Sequence, residues 1–137
     1  MIIPPIRLQD AHGAGYYGAP RGARTHNGID LCCHKDSLVM SVTPGKVTRI
    51  GYPYDPGDDD KGHLLYVQVT DAAGRDHRYF YVSPMVNVGE IISRGAVIGV
   101  AQGLLEVYPG ITDHIHYEIK VDGDYIDPSE FYRGVSL

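Results

Sequence analysis

A chain of 137 residues, 43% hydrophobic and 21% charged, is long enough to bury the core of one domain. Its formal net charge of −5 excludes an affinity built on a general basic surface, so no nucleic-acid partner is expected. No apolar run reaches the roughly 20 residues of a membrane-spanning helix, so no membrane insertion is expected.

The N-terminal stretch MIIPPIRLQD has neither the charged n-region nor the apolar h-region of a secretory leader. Residues 1–25 carry a Pro pair and clustered glycines without a sustained period, and read as extended arm or loop. We expect residues 1–12 to be an N-terminal arm and 13–137 a single domain. In RTHNGIDL, residues 24–31, His26 and Asp30 stand four apart around Gly28, whose freedom permits a tight bend that brings imidazole and carboxylate together. Alone, that spacing is a surface accident more often than a site. Adjacent Cys32 and Cys33 read as reduced, mostly buried thiols, because neighbouring cysteines rarely meet disulfide geometry.

Six segments rich in Val, Ile, Tyr and Thr follow: 38–42, 46–52, 63–70, 76–82, 96–101 and 114–121. Turn-forming stretches such as TPGK, YPYDPGDDDKG, DAAGRD and VDGD separate them. No amphipathic helix is evident; DPSEFY suits a single turn. The expected fold class is all-β, an antiparallel sandwich or partly open barrel. Asp58, Asp59 and Asp60 read as a solvated loop tip, with a calcium site or substrate-steering rim as the alternative. His12, His34 and His63 read as loop or surface residues. Tyr108 suits plain packing or contact with a substrate.

The last segment contains TDHIHYEI, residues 112–119. Side chains alternate along a strand, so His114 and His116 point the same way, about 6–7 Å apart at Cα, with Ile115 and Tyr117 opposite. Glu118 shares the histidine face, either orienting a ligand or as an ordinary exposed carboxylate. A His/Asp pair early and a His-x-His strand late supply three metal ligands and a spare histidine, the set used when a catalytic zinc keeps a position for water. The alternative is a group of histidines satisfied by hydrogen bonds.

HNGIDL, TPGKVTRIG, VNVGEIISRGAVIGVAQ and DHIHYEI, in that order, resemble the lysostaphin/LytM-type zinc metalloendopeptidases, over about residues 13 to 128. The resemblance implies an antiparallel β core with a zinc groove framed by loops, and cleavage of peptide bonds in bacterial peptidoglycan. It implies one Zn2+ ion held by His26, Asp30 and His116, with His114 as the catalytic histidine beside it. Where that family carries a second catalytic histidine, in a Tyr-x-His-Leu-Ser-like stretch, RYFYVSP (78–84) has Tyr81. By strand alternation His77 shares a face with Tyr79 and Tyr81 but lies about 13 Å from Tyr81, too far to replace the histidine. Tyr81 is then expected to donate to an oxyanion, a contribution of about 3–4 kcal/mol in enzymes that use one, and His114 to act as base.

GAPRGARTHNGIDLCC and EVYPGITDHIHYEI are also similar to the leukocyte-derived chemotaxin subgroup, which carries the same tyrosine and keeps the zinc site. Those proteins are thought of as signalling molecules, so a zinc-containing binding or structural module using the same groove is the alternative function. The expected partner is peptidoglycan peptide. With no export signal visible, a phage tail or secretion assembly is the expected carrier to the wall.

Overall fold

The computed structural model describes residues 6–8, 10, 13–21 and 24–132; His12 lies outside them. Among the described residues, twelve strands and one helical turn follow in order. They are β1 (Pro20–Arg21), β2 (Arg24–Thr25), β3 (Ile29–Cys32), β4 (Leu38–Met40), β5 (Gly45–Gly51) and β6 (Tyr66–Thr70), then β7 (Asp76–Phe80), β8 (Val82–Pro84), β9 (Ile91–Ile92), β10 (Val97–Ala101), β11 (His114–Val121), β12 (Asp124–Ile126) and α1 (Ser129–Tyr132). Every pairing between them is antiparallel. The large sheet runs β12-β11-β7-β6-β5-β9, and β3 joins it by pairing with β11 beyond the end of β12. A smaller sheet runs β4-β10-β8.

Two-residue alternation decides which face of the large sheet is which. One row across β11, β7 and β6 is Tyr117, Tyr79 and Val67; the next is Ile119, His77 and Val69. These face the core, where they meet Val39, Val82, Ile98 and Ala101 of the smaller sheet. The intervening rows, His116–Phe80–Tyr66 and Glu118–Arg78–Gln68, face the other way. Two sheets sharing one apolar layer make the expected all-β architecture. Among the described residues, no helix is long and apolar enough to cross a membrane.

The segment 76–82 does not stay one strand. Tyr81 takes a left-handed backbone with φ of 70°, which a bulky side chain adopts at a cost of about 1–3 kcal/mol. The Leu65 carbonyl accepts from both Tyr81 N (2.7 Å) and Val82 N (3.2 Å), and Gln102 N donates to the Tyr81 carbonyl (2.8 Å). This corner carries the chain from β7 in the large sheet to β8 in the small one. It also breaks the alternation, so Tyr81 does not share the core face of His77 and Tyr79. The short strands β1, β2, β3, β9 and β12 hold four residues or fewer, too few for a two-residue period to show in sequence.

Candidate metal centre

Antiparallel register sets Asp30 directly across from His116, and Cys32 across from His114. Core burial of Ile29 and Leu31 turns Asp30 outward, as Ile115 and Tyr117 do for the two histidines. His26 follows β2, tied by His26 N to the Ala19 carbonyl (2.8 Å) and by Gly18 N to its own carbonyl (2.9 Å). Gly28 does not work through a left-handed bend: its φ is not positive. A Cβ there would collide with the Tyr117 carbonyl and lie 2.9 Å from His116 Cε1 and from Glu118 Cβ. Its missing side chain lets the loop lie against β11.

Three atoms converge. His26 Nε2 and His116 Nδ1 are 3.0 Å apart, His116 Nδ1 and Asp30 Oδ1 are 3.0 Å apart, and His26 Nε2 and Asp30 Oδ1 are 3.2 Å apart. Each histidine's other nitrogen is spoken for. His26 Nδ1–H donates to the Tyr16 carbonyl at 3.0 Å, and His116 Nε2–H to Glu118 Oε1 at 2.8 Å. In the neutral rings, those bonds leave the converging nitrogens as the ones that carry the lone pairs. Two lone pairs and a carboxylate oxygen facing one another, largely out of water, call for a cation. The chemistry of this donor set, two imidazole nitrogens and one carboxylate oxygen, fits zinc. Among the described residues this is the only cluster of three or more such groups.

Without metal, a proton takes the cation's part. Burial pushes the His116 imidazole down, but its bonds to Asp30 and Glu118 prevail and raise it to about 9. Burial likewise pushes Asp30 up, and the bonds from His116 and His26 hold it well below the usual carboxylate range. Its second oxygen is occupied: Arg7 Nε and Nη2 reach Asp30 Oδ2 at 3.1 and 3.0 Å. Arg7 is buried, and its Nη1 also donates to the Gly13 carbonyl. A residue from the stretch read as an arm thus orients a residue of the cluster. No periodicity or motif marks it in the sequence.

His114 donates Nδ1–H to the Thr112 carbonyl at 2.7 Å, leaving the Nε2 lone pair 3.6 Å from Asp30 Oδ2. Burial lowers its pKa, against the opposing charge of Asp30, so it stands as a neutral acceptor. The Tyr81 ring meets the His114 ring nearly edge-on, centroids 5.9 Å apart. Burial and the neighbouring Tyr54 phenol raise the Tyr81 pKa well above its ordinary value, keeping it a protonated donor. A groove of about 420 Å³ opens over these groups, walled by Tyr54, Tyr108 and Leu104.

Glu118 is buried rather than exposed, because its partner His116 draws it inward. Tyr108 bonds Tyr54 above the groove. His77 lies on the core side, bonded to Asp71 and Tyr117 and away from the cluster. His34 and His63 are exposed, as are Asp58, Asp59 and Asp60; Asp58 is engaged by the loop's own backbone and none of the three joins a ligand cluster. Cys32 and Cys33 are free thiols, half-buried, with pKa values raised chiefly by burial, Cys33 to about 12.

Comparison with known proteins places the chain in a family and matches its fold. The family described as Peptidase family M23 matches residues 24–128. Leukocyte cell-derived chemotaxin-2 of Bos taurus is 32% identical over 126 residues, covering 92% of this chain and 78% of that protein. The catalytic domain of the antimicrobial peptidase lysostaphin from Staphylococcus simulans superposes with a TM-score of 0.66 at 20% identity, covering 91% of this chain and 92% of that one. A zinc-containing peptidase from Vibrio cholerae gives 0.62 at 23% identity, covering 88% of this chain and 35% of that one.

Proposed function

The chain belongs to peptidase family M23, and from that premise we propose that it is a zinc-dependent endopeptidase acting on peptide bonds of bacterial peptidoglycan. The observation that carries the reading is the convergence of His26 Nε2, Asp30 Oδ1 and His116 Nδ1 to 3.0–3.2 Å of one another beside the His114 imidazole. His26, Asp30 and His116 would hold one ion. When bound, zinc supplies Lewis acidity that polarises a carbonyl and acidifies water.

The chain's own groups supply the rest. His114 accepts a proton at Nε2 from the attacking water and returns it to the leaving amine, its ring held by the Thr112 carbonyl. Tyr81 donates its hydroxyl proton in a hydrogen bond to the scissile carbonyl oxygen as charge builds there. Arg7 and Glu118 keep Asp30 and His116 in place from behind. The groove lined by Tyr54, Tyr81 and Tyr108 would take an extended peptide, its aromatic wall limiting water around the reacting bond.

A second reading rests on Tyr81 and on the similarity to chemotaxin-2: a zinc-containing module that binds in the same groove without turnover. One experiment separates them. Zinc-loaded protein is incubated with purified peptidoglycans of several cross-link chemistries, and soluble fragments are identified by mass spectrometry. The enzyme reading expects fragments that vanish with a chelator and return with zinc, and a His114→Ala variant that keeps its metal but not its turnover. Failure to release fragments from every peptidoglycan, with zinc demonstrably bound, sinks the enzyme reading in favour of the module.

A further inference from the structure

Two tyrosines outside the predicted site, Tyr54 and Tyr108, come from separate loops and meet above the groove. Tyr108 donates its hydroxyl to Tyr54 at 2.6 Å. The Tyr54 hydroxyl stands 3.3 Å from that of Tyr81. A hydroxyl that has accepted one proton still has its own to give. Either hydroxyl of the Tyr54–Tyr81 pair can donate; in the order Tyr108 to Tyr54 to Tyr81, the Tyr81 proton is the one left to point into the groove.

The framework holds the three rings in place. The Lys61 ammonium lies over both outer rings, 5.3 Å from the Tyr54 centroid and 5.4 Å from that of Tyr108. Asp58 fixes the turn that carries Lys61 by accepting from Asp60 N and Lys61 N, both at 2.9 Å. At the inner end, the left-handed corner at residue 81 is pinned by Leu65 and Gln102.

We propose that Tyr54 and Tyr108 are positioning residues, a one-way hydroxyl chain that aims the Tyr81 proton at an oxyanion in the groove. No proton is transferred along it; each hydrogen bond polarises the next. This rests on reading the groove as one that stabilises an oxyanion, and it deepens that reading.

The test titrates inorganic phosphate, a tetrahedral oxyanion independent of the natural substrate, into zinc-loaded protein by calorimetry. Tyr81→Phe should weaken phosphate binding roughly tenfold, as expected for a lost hydrogen bond to a charged group. Tyr54→Phe should weaken it about threefold, and Tyr54→Phe on top of Tyr81→Phe should add nothing. Equal losses from Tyr54→Phe in both backgrounds would mean a merely structural role and overturn the proposal. So would phosphate binding no tighter in the wild type than in Tyr81→Phe. Tyr108→Phe, at the far end, carries the same cycle should Tyr54→Phe fold poorly. Fragment release from peptidoglycan is read separately. Absent turnover with the coupling intact sinks the endopeptidase reading and leaves the chain of hydroxyls standing; turnover with additive phosphate losses does the reverse.

Discussion

Among the described residues, two histidine–aspartate clusters lie on opposite faces of β11, and they differ in how their hydrogen bonds close. On the core side, the Tyr117 hydroxyl donates to His77 Nδ1 at 2.7 Å and His77 Nε2–H donates to Asp71 Oδ2 at 2.9 Å. Arg75 completes Asp71 at 2.7 Å. Every ring atom that can bond has a partner of the complementary kind. On the groove side, His26, Asp30 and His116 satisfy their outer atoms and turn three metal-binding atoms on one point, which without metal must share a proton. Burial and residue type are alike in the two clusters; what separates a structural cluster from a binding site is the unmatched lone pairs.

The sharpest way to break that contrast is to remove one carboxylate from each cluster. Asp30→Asn should cost roughly three orders of magnitude in zinc affinity, about a third of the 10–16 kcal/mol a zinc site typically supplies, measured by competition with a chelating dye. Asp71→Asn should leave zinc affinity unchanged and lower stability by about 2–3 kcal/mol in urea unfolding, the cost of losing charged hydrogen bonds to His77 and Arg75. A zinc defect in Asp71→Asn would mean the clusters are not independent.

A smaller effect sharpens the role of the outer bonds. Glu118→Gln keeps an acceptor for His116 but loses the charge, and should reduce zinc affinity about tenfold, as such supporting partners commonly do. Unchanged affinity would show that the tautomer of His116 is set elsewhere.

The smallest effect concerns pH. Burial depresses His77 below its ordinary value, against the attraction of Asp71, so the unfolded chain takes up this proton first. Its contribution is present above about pH 6.5 and declines as pH falls below that value. Asp71, raised by burial but lowered further by its bonds from His77 and Arg75, titrates near 2; its contribution is present above the ordinary carboxylate value and is lost as pH falls toward 2. The His77–Asp71 contribution to stability should therefore fall in two steps on acidification, and Asp71→Asn should remove the share of the lower one that belongs to Asp71, read as the difference from the parent in unfolding across pH.

Much of the architecture is written locally. HIHYEIKV alternates cleanly, and β11 occupies the same eight residues in the structure. The pairing of an early His/Asp box with a late His-x-His strand was also legible, because each motif is short and each residue type has few uses. Glu118 was on the right face, but its burial depends on His116 reaching back to it. The alternation rule misled at Tyr81, where the backbone reverses its side-chain direction to change sheets.

By itself the sequence determined the strand periods, the turns and the ligand types, since these depend on a few neighbouring residues. Only the tertiary structure decided that Arg7 backs Asp30, that Gly28 must yield its space to β11, and that three tyrosines from distant stretches share one line of hydroxyls. Those are contacts between segments far apart in the chain, set by sheet register and corner geometry, which no local pattern encodes.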